Sequence, residues 1–306
     1  MKIIYDYLNH ESKVDTAITF GNFDGVHLGH KAIIDTIRNI ATKENLASAV
    51  VTFEPHPSVY LRNKHGFLLL DFDQKIKLLE SLGIDYLYVI NFDKNFSQLS
   101  PEVFIKDVLV NNYGMKHVIV GHNCSFGCEC SGNIDLLYYY SIIYDYKVKK
   151  LDPLFVDNIL CSSSVIRESL SNGKIKLANK ILGRPYQING KVIKGFVRGR
   201  VIGFPTVNIN IGHVLVPKFG VYAASIEINN SNTWLHGIVN IGLRPTFNDI
   251  VFPILEMHIF DFNNDIYDQY VAIRLLEFIR PECKFDSVDQ LKQQINIDIV
   301  TVKQIL

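Results

Sequence analysis

The sequence predicts an α/β fold followed by a mainly β one: a doubly wound parallel sheet in the first half, then an antiparallel barrel finished by a helix. Three observations carry this reading. In the first half, short β-branched runs alternate with helical patterns. From about residue 185 the chain turns to alternating strands punctuated by Asn-Asn, Asn-Gly and Asn-Asp pairs, the residues that hairpins require. The last stretch returns to helical spacing. A boundary near Leu182–Arg184 then divides the chain into residues 1–182 and 183–306.

Taken in order, "AITF" (17–20), "SAVVTF" (48–53), "YLYVIN" (86–91) and "HVIVG" (117–121) read as buried parallel strands. Between the first two, Ile33, Ile34, Ile37 and Ile40 mark one face of a helix, and "FDQKIKLLESLG" ends another helix at Gly83. In the second half "QINGKVIKG", "VYAASIEINNSNTWLHGIVNIG" and "ILEMHIFDFNNDIYDQYVAIRLLEFI" supply the barrel strands, and a helix is expected from about Ser287 to Ile299.

The 306 residues suffice for two ordinary domains, and 48% hydrophobic residues suffice for two cores. Lys plus Arg, 31, equals Asp plus Glu, 31, which removes the basic footprint expected of a nucleic-acid or anionic-membrane binder. No apolar run approaches a membrane span, and the opening MKIIYDYLNHE is acidic and aromatic too early for a signal peptide. Cys124, Cys128, Cys130, Cys161 and Cys283 form an odd, uneven set, which fits reduced thiols better than a disulfide framework. A cytoplasmic protein with small-molecule substrates, no nucleic acid and no membrane partner is expected.

Three strands of the first half run straight into polar loops: GNFDGVHLGH, EPHPS and HNCSFG. Ligands of open parallel sheets bind outside the carboxyl ends of the strands, so these loops should meet at one site. Gly21 and Gly25 let the backbone turn sharply, and the helix beginning near Val26–Leu28 aims free N–H groups at the same place, which favours an anion. His27 and His30, three apart, share a side of its first turn. Imidazoles there suit phosphate oxygens. A metal is disfavoured by the lack of a third ligand at helical spacing, and spacing alone leaves a histidine nucleophile open. Later, Ser162, Ser163 and Ser164 precede a helix, with the Arg167 guanidinium one turn in.

In the second half, Thr206 and Asn208 stand two apart on a strand after the Gly/Arg-rich turn "GFVRGRVIGFP", so they share a face and offer a hydroxyl and an amide oxygen to a hard cation such as Mg²⁺. On "ILEMHIFDF", Leu255, Met257 and Ile259 face one way and Glu256 and His258 the other, which leaves Glu256 able to act as a general base.

"TFGNFDGVHLGH", "TFEPHP" and "SSSVIR", with "FSQLSPEVFI" between the last two, together resemble the amino-terminal module of the prokaryotic bifunctional riboflavin kinase/FMN adenylyltransferase (FAD synthetase) family, whose HxGH signature belongs to the nucleotidylyltransferases. "RGRVIGFPTVN", "PKFGVYAASI", "GIVNIGLRPTF" and "LEMHIFDF…FIRPECKFDSVDQLKQQI" resemble its riboflavin kinase domain, with PTVN where PTAN is usual. The resemblance implies a nucleotidylyltransferase-like domain and a small Greek-key barrel. It implies that His27 and His30 hold ATP phosphates while the FMN phosphate attacks, with Gly21, Asn22, Asp24 and Gly25 lining the nucleotide pocket. Ser162, Ser163, Ser164 and Arg167 would clamp the polyphosphate, and His56, Pro57 and Asn123 would face the flavin. In the kinase half it implies Mg-ATP at Thr206 and Asn208, Gly203 and Pro205 shaping the nucleotide loop, Arg198 and Arg200 facing phosphate, and Glu256 activating riboflavin.

One loop departs from the family pattern. Where GxDFxFG and basic residues are usual, "GHNCSFGCECSGN" has Asn123 for an acid, Cys124 for an aromatic, and Ser125, Cys128 and Cys130 at basic positions. The alternative reading is therefore a riboflavin kinase with weakened or lost FMN adenylyltransferase activity. A flavin- or nucleotide-binding regulator without turnover is a third, opposed by the retained Glu256, Thr206 and Asn208. His122, Cys124, Cys128 and Cys130 also invite a zinc reading, but C-x3-C-x-C lacks paired CxxC knuckles, and no structural metal is expected there.

Overall fold

The computed structural model describes residues 1–5, 14–194, 199, 202–245 and 251–306. Arg198 and Arg200 lie outside the described residues. The chain divides into two compact units: residues 1–65 with 72–161, and residues 66–71 with 162–306.

The first unit is built on β1 (Lys2–Ile4), β2 (Thr16–Phe20), β3 (Ala47–Glu54), β4 (Tyr86–Asn91), β5 (Met115–Gly121) and β6 (Lys147–Leu151). They form one sheet in the order β1-β4-β3-β2-β5-β6, and every pairing is parallel. The four central strands are those the sequence predicts; their continuous apolar runs fit strands covered on both faces. The two edge strands carry no such run. Strand β1 has three residues, and β6 (KVKKL) carries the lysines that protect an edge from further pairing.

Helix α1 (Leu28–Glu44) joins β2 to β3 and buries Ile34, Ile37 and Ala41, while Ile33 and Ile40 are only half-buried. The packed face is thus turned from the expected one: an alanine a full turn after Ile37 lets the helix lie close to the strands, where Ile40 sits at the margin. Short α2 (Pro57–Arg62) follows β3, and α3 (Phe72–Ser81) stops two residues before Gly83, whose φ is +70°. After β4 come α4 (Lys94–Ser97), α5 (Pro101–Val103) and a π-helical segment, Phe104–Asn112. Helix α6 (Ile134–Tyr144) leads to β6, and a small hairpin, β7 (Phe155–Val156) with β8 (Ile159–Leu160), ends the unit.

The second unit opens with α7 (Ser163–Ser171) and α8 (Ile175–Leu182). Six strands follow: β9 (Tyr186–Ile193), β10 (Val207–Ile209), β11 (Gly220–Ile228), β12 (Trp234–Pro245), β13 (Val251–Ile259) and β14 (Tyr270–Arg280). They close into a barrel in the order β10-β13-β12-β11-β14-β9 with every pairing antiparallel. Three consecutive strands, β11 to β13, run side by side and β14 returns beside β11, which is the Greek-key order. Along β13, Leu255, Met257 and Ile259 fill the core.

Ser287 caps the final helix, α9 (Val288–Ile305), by accepting a hydrogen bond from Gln290 N at 3.2 Å. The helix continues six residues beyond the expected end at Ile299. The β-branched run "IVTV" reads poorly as helix, but Val302 is fully buried with Ala223 and Ile238 on the barrel, and that packing overrides propensity.

The six-residue segment 66–71 belongs to the barrel unit. Leu215 N donates to Leu68 O (2.7 Å), Asn189 Nδ2 to Asp71 Oδ2 (3.2 Å) and Arg167 Nε to Phe67 O (2.8 Å).

Candidate active sites

The loops expected to carry chemistry in the first unit leave β2, β3 and β5, which are neighbours at the centre of the sheet. Strand order reverses at β2, so this is also the switch point where open α/β sheets bind ligands.

The β2–α1 loop is held rigidly. Phe23, Gly25 and Val26 have φ of +47°, +87° and +37°, strained for the two side-chain-bearing residues. Burial of Phe23 and Val26 offsets that strain. Gly21 N donates to Val51 O at 3.0 Å, and Thr52 Oγ1 to Asn22 O at 3.4 Å, so the ends of β2 and β3 are tied together. Asp24 is 3% exposed.

His27 is the N-cap of α1: its Nδ1 accepts from His30 N at 3.3 Å. With Nδ1 accepting, a neutral His27 carries its proton on Nε2, by assignment from that bond. The His27 and His30 rings stack with centroids 3.7 Å apart and 19° between planes, and Phe23 lies 5.0 Å from His30. Gly29 explains the tight fit, since a Cβ there would stand 3.0 Å from His27 Cε1 and 3.3 Å from Cys161 O. The two imidazoles that the sequence places on one side of a turn thus form a stacked pair at a helix N-terminus, where N–H groups and partial positive charge favour phosphate oxygens.

His56 is buried and caps the six-residue α2, its Nδ1 accepting from Ser58 N at 3.0 Å, with Pro57 in the first turn. In the β5 loop Asn123 is exposed, and Phe126 anchors the backbone by packing against Phe20 (5.3 Å) and Phe104 (5.8 Å). Cys124 packs against the core, and burial pushes its thiol up to about 12, so it stays protonated at neutral pH. Among the described residues no three of His, Cys, Asp or Glu stand together as metal ligands.

Lys75 on α3 has no motif to announce it, yet it is 5% exposed. Desolvation lowers its pKa, while the carboxylates of Glu54, at the end of β3, and Asp24 favour its charge. Glu54 is pushed up by its own burial, which Lys75 opposes. Buried Lys75 thus stands with one buried acid, Asp24, and one half-buried acid, Glu54, around two of the loops.

In the second unit Ser162 Oγ accepts from Val165 N at 3.3 Å as the N-cap of α7, and Ser163 and Ser164 fill its first turn. Arg167 lies over the Phe67 ring, 5.1 Å from its centroid.

On the barrel, Glu256 of β13 lies directly between Asn208 of β10 and Asn240 of β12 in register. Opposed residues of antiparallel strands project from the same face, so the three form a row. Asn208 is 5% exposed and its Oδ1 is buried without a hydrogen-bond partner among the described residues. Thr206 precedes β10 rather than lying in it, and a Cβ at Gly199 would stand 3.0 Å from its Oγ1. His258 Nδ1 donates to Pro205 O at 2.8 Å, pinning the loop that turns at Gly203 (φ +94°) onto β13. Thr206, Asn208, Asn240 and Glu256 line a cavity of about 1070 Å³ that also takes residues from β14 and α9. Asn240 escaped the sequence reading because only strand register brings it beside Glu256.

The FAD synthetase family model matches residues 9–165 and the riboflavin kinase model residues 182–306. A bifunctional riboflavin kinase/FMN adenylyltransferase of Buchnera aphidicola subsp. Schizaphis graminum is 39% identical over 95% of this chain and 94% of its own length. The same-named proteins of Haemophilus influenzae (39% identity; 94% of this chain, 93% of that one) and Bacillus subtilis (37%; 95% and 93%) are similar in the same way. A solved structure described as a macrolide-efflux protein from Streptococcus pneumoniae superposes with TM-score 0.88 and 30% identity, over 99% of this chain and 98% of that one. Efflux is said of that protein; what is shared is the architecture, and no helix among the described residues is long and apolar enough to cross a membrane.

Proposed function

The chain belongs to the bifunctional riboflavin kinase/FMN adenylyltransferase family, and from that premise we propose how its residues divide the two reactions. It phosphorylates riboflavin to FMN with ATP and adenylylates FMN to FAD with a second ATP, releasing pyrophosphate. Adenylyl transfer is assigned to residues 1–182 and phosphoryl transfer to residues 183–306.

In adenylyl transfer, an oxygen of the FMN phosphate bonds to the α-phosphorus of ATP as the bond to the pyrophosphate oxygen breaks. Such chemistry is mostly positioning and charge stabilisation. His27 and His30, at the α1 N-terminus, hold ATP phosphates. Gly21, Asn22, Asp24 and Gly25 line the nucleotide pocket. Ser162, Ser163, Ser164 and Arg167 take the polyphosphate, and His56, Pro57 and Asn123 face the flavin.

In phosphoryl transfer, Glu256 takes the proton of riboflavin's terminal ribityl hydroxyl. That oxygen bonds to the γ-phosphorus of ATP as the bond to the bridging oxygen breaks and ADP leaves. Gly203 and Pro205 shape the nucleotide loop. The unpartnered, buried Oδ1 of Asn208 with the hydroxyl of Thr206 is a hard oxygen pair that fits Mg²⁺. A bound Mg²⁺ offsets charge on the phosphates. The single observation that carries the assignment is the row Asn208–Glu256–Asn240, an orphaned oxygen donor and a carboxylate side by side in one cavity.

The second reading, a kinase with weakened adenylyl transfer, is favoured by the β5 loop: Asn123 stands for an acid, and the half-buried Cys124 offers no charge. The deciding experiment is to incubate the purified chain with riboflavin, ATP and Mg²⁺ and separate the flavins. FMN and FAD together are expected; FMN alone selects the second reading, and unchanged riboflavin overturns both.

A further inference from the structure

Glu256 stands at the middle of a row that has two ends. In-line transfer sets donor and acceptor on opposite sides of the moving phosphorus. Thr206 and Asn208 mark the donor end, so the body of the acceptor lies toward Asn240. That end is walled by the connection after β14 and by α9: Glu282, Cys283, Phe285, Leu291 and Ile295 all line the cavity.

Among the described residues, α9 packs on the barrel through Ile295, Ile299 and Val302, and the hydrogen bonds that tie this wall to β14 centre on one guanidinium. Arg280 Nε donates to Asp298 Oδ1 (3.0 Å) and Oδ2 (3.1 Å), and Nη2 donates to Oδ2 (2.8 Å). Gln294 Nε2 adds a bond to Oδ1 at 2.9 Å, so the carboxylate, 2% exposed, is fully engaged. The remaining nitrogen, Nη1, donates to Pro281 O and Cys283 Sγ, both at 3.1 Å. Arg280 therefore fixes α9 and the 281–283 turn with one rigid fork. A second tie returns to the row: Asn240 Nδ2 donates to Glu282 Oε1 at 3.4 Å.

We propose that the Arg280–Asp298 pair positions the wall against which the riboflavin ring is held, and so sets acceptor affinity without touching the phosphoryl donor. The inference rests on the phosphoryl-transfer reading of Glu256. Arg280 and Asp298 act here as positioning residues. The leucine, isoleucine and phenylalanine of the wall suit a flat, largely apolar ring.

Asp298→Asn keeps the shape and removes the charge; Arg280→Lys keeps the charge and loses the fork. Each should raise the KM for riboflavin about tenfold, short of the roughly 10²-fold that a 1 Å misplacement can cost. The KM for ATP and the adenylylation of added FMN should change by less than about twofold on the same grounds. A KM for ATP that rises in step with that for riboflavin, or an unmoved KM for riboflavin in a folded variant, overturns the proposal. Should both variants fail to fold, hydrogen exchange on the wild-type chain decides. Riboflavin should slow amide exchange across residues 281–298 more than Mg²⁺ with a non-hydrolysable ATP analogue does, and the reverse order overturns it. Wild-type chain that forms no FMN defeats the phosphoryl-transfer reading instead, and the exchange measurement needs no turnover.

Discussion

At the scale of single residues, the proposed assignment predicts that the two chemistries can be removed one at a time. Removing one donor that acts on a charged transition state costs about 10²–10³ in kcat. His30→Ala should lower FMN-to-FAD conversion by that factor and leave riboflavin phosphorylation near wild type. Glu256→Gln should do the opposite, because the amide keeps the strand packed but takes no proton. Steady-state assays of each half-reaction on both variants check this; loss of both activities in one folded variant sinks the assignment. His30 stands out in the sequence because glycine and histidine crowd at a strand end for few reasons, whereas Glu256 stands out only through the family resemblance, since an outward-facing strand Glu is ordinarily solvated. Lys75 was not legible. A lysine in "FDQKIKLL" reads as the solvent face of a helix, and only the fold turns it inward with Gln74 and Leu79. Asn240 was silent for a different reason: nothing local distinguishes it, and the β12–β13 register alone sets it beside Glu256.

At the scale of elements, the tie between α1, β5 and β6 gives the first unit an acid-sensitive joint. Glu44, at the end of α1, meets His117 Nε2 at 2.7 Å and Lys147 Nζ at 3.1 Å. Hydrogen bonds from Lys147 and His117 hold its carboxyl below the ordinary 4.5. A carboxyl depressed in the folded state contributes stability above its unfolded value, and loses it as pH falls through the folded value. Glu44→Gln should therefore flatten the fall of Tm below pH 4.5 and lower Tm slightly above it, as thermal melts across that range would record. In the second unit, Val302 is fully buried against the barrel. Val302→Ala should cost about 2 kcal/mol, read from denaturant unfolding of the barrel unit. Its placement was hidden in the sequence by the same β-branched run that concealed the last turns of α9. The central strands were legible because burial on both faces leaves an unbroken apolar run; the edge strands, short or lysine-rich, carry no such signal.

At the scale of the whole molecule, the proposed division gives each reaction its own residues, and the product of one is the substrate of the other. A mixture of the His30→Ala and Glu256→Gln chains should therefore make FAD from riboflavin, since FMN released by one chain reaches the other through solution. Separating the flavins after incubation checks this, and a mixture that stops at FMN shows that transfer requires both sites on one chain. That a parallel α/β part precedes an antiparallel barrel was legible from the switch in periodicity near residue 185, although the compact units divide at 161/162. That the halves are interleaved was not, because a six-residue run such as GFLLLD carries no sign of which core it serves.

The interleaving also changes what can be done with the gene. The backbone passes from one compact unit to the other at 65/66, 71/72 and 161/162. A shortened chain beginning at residue 162 or 183 would hold the barrel without Leu68 and Asp71, so the Leu215 amide and Asn189 Nδ2 would lose the bonds they now make to them. Splitting this coding sequence before residue 162 would leave six codons of the barrel unit in the upstream gene and would carry Ser162, Ser163, Ser164 and Arg167, proposed for adenylyl transfer, into the downstream one.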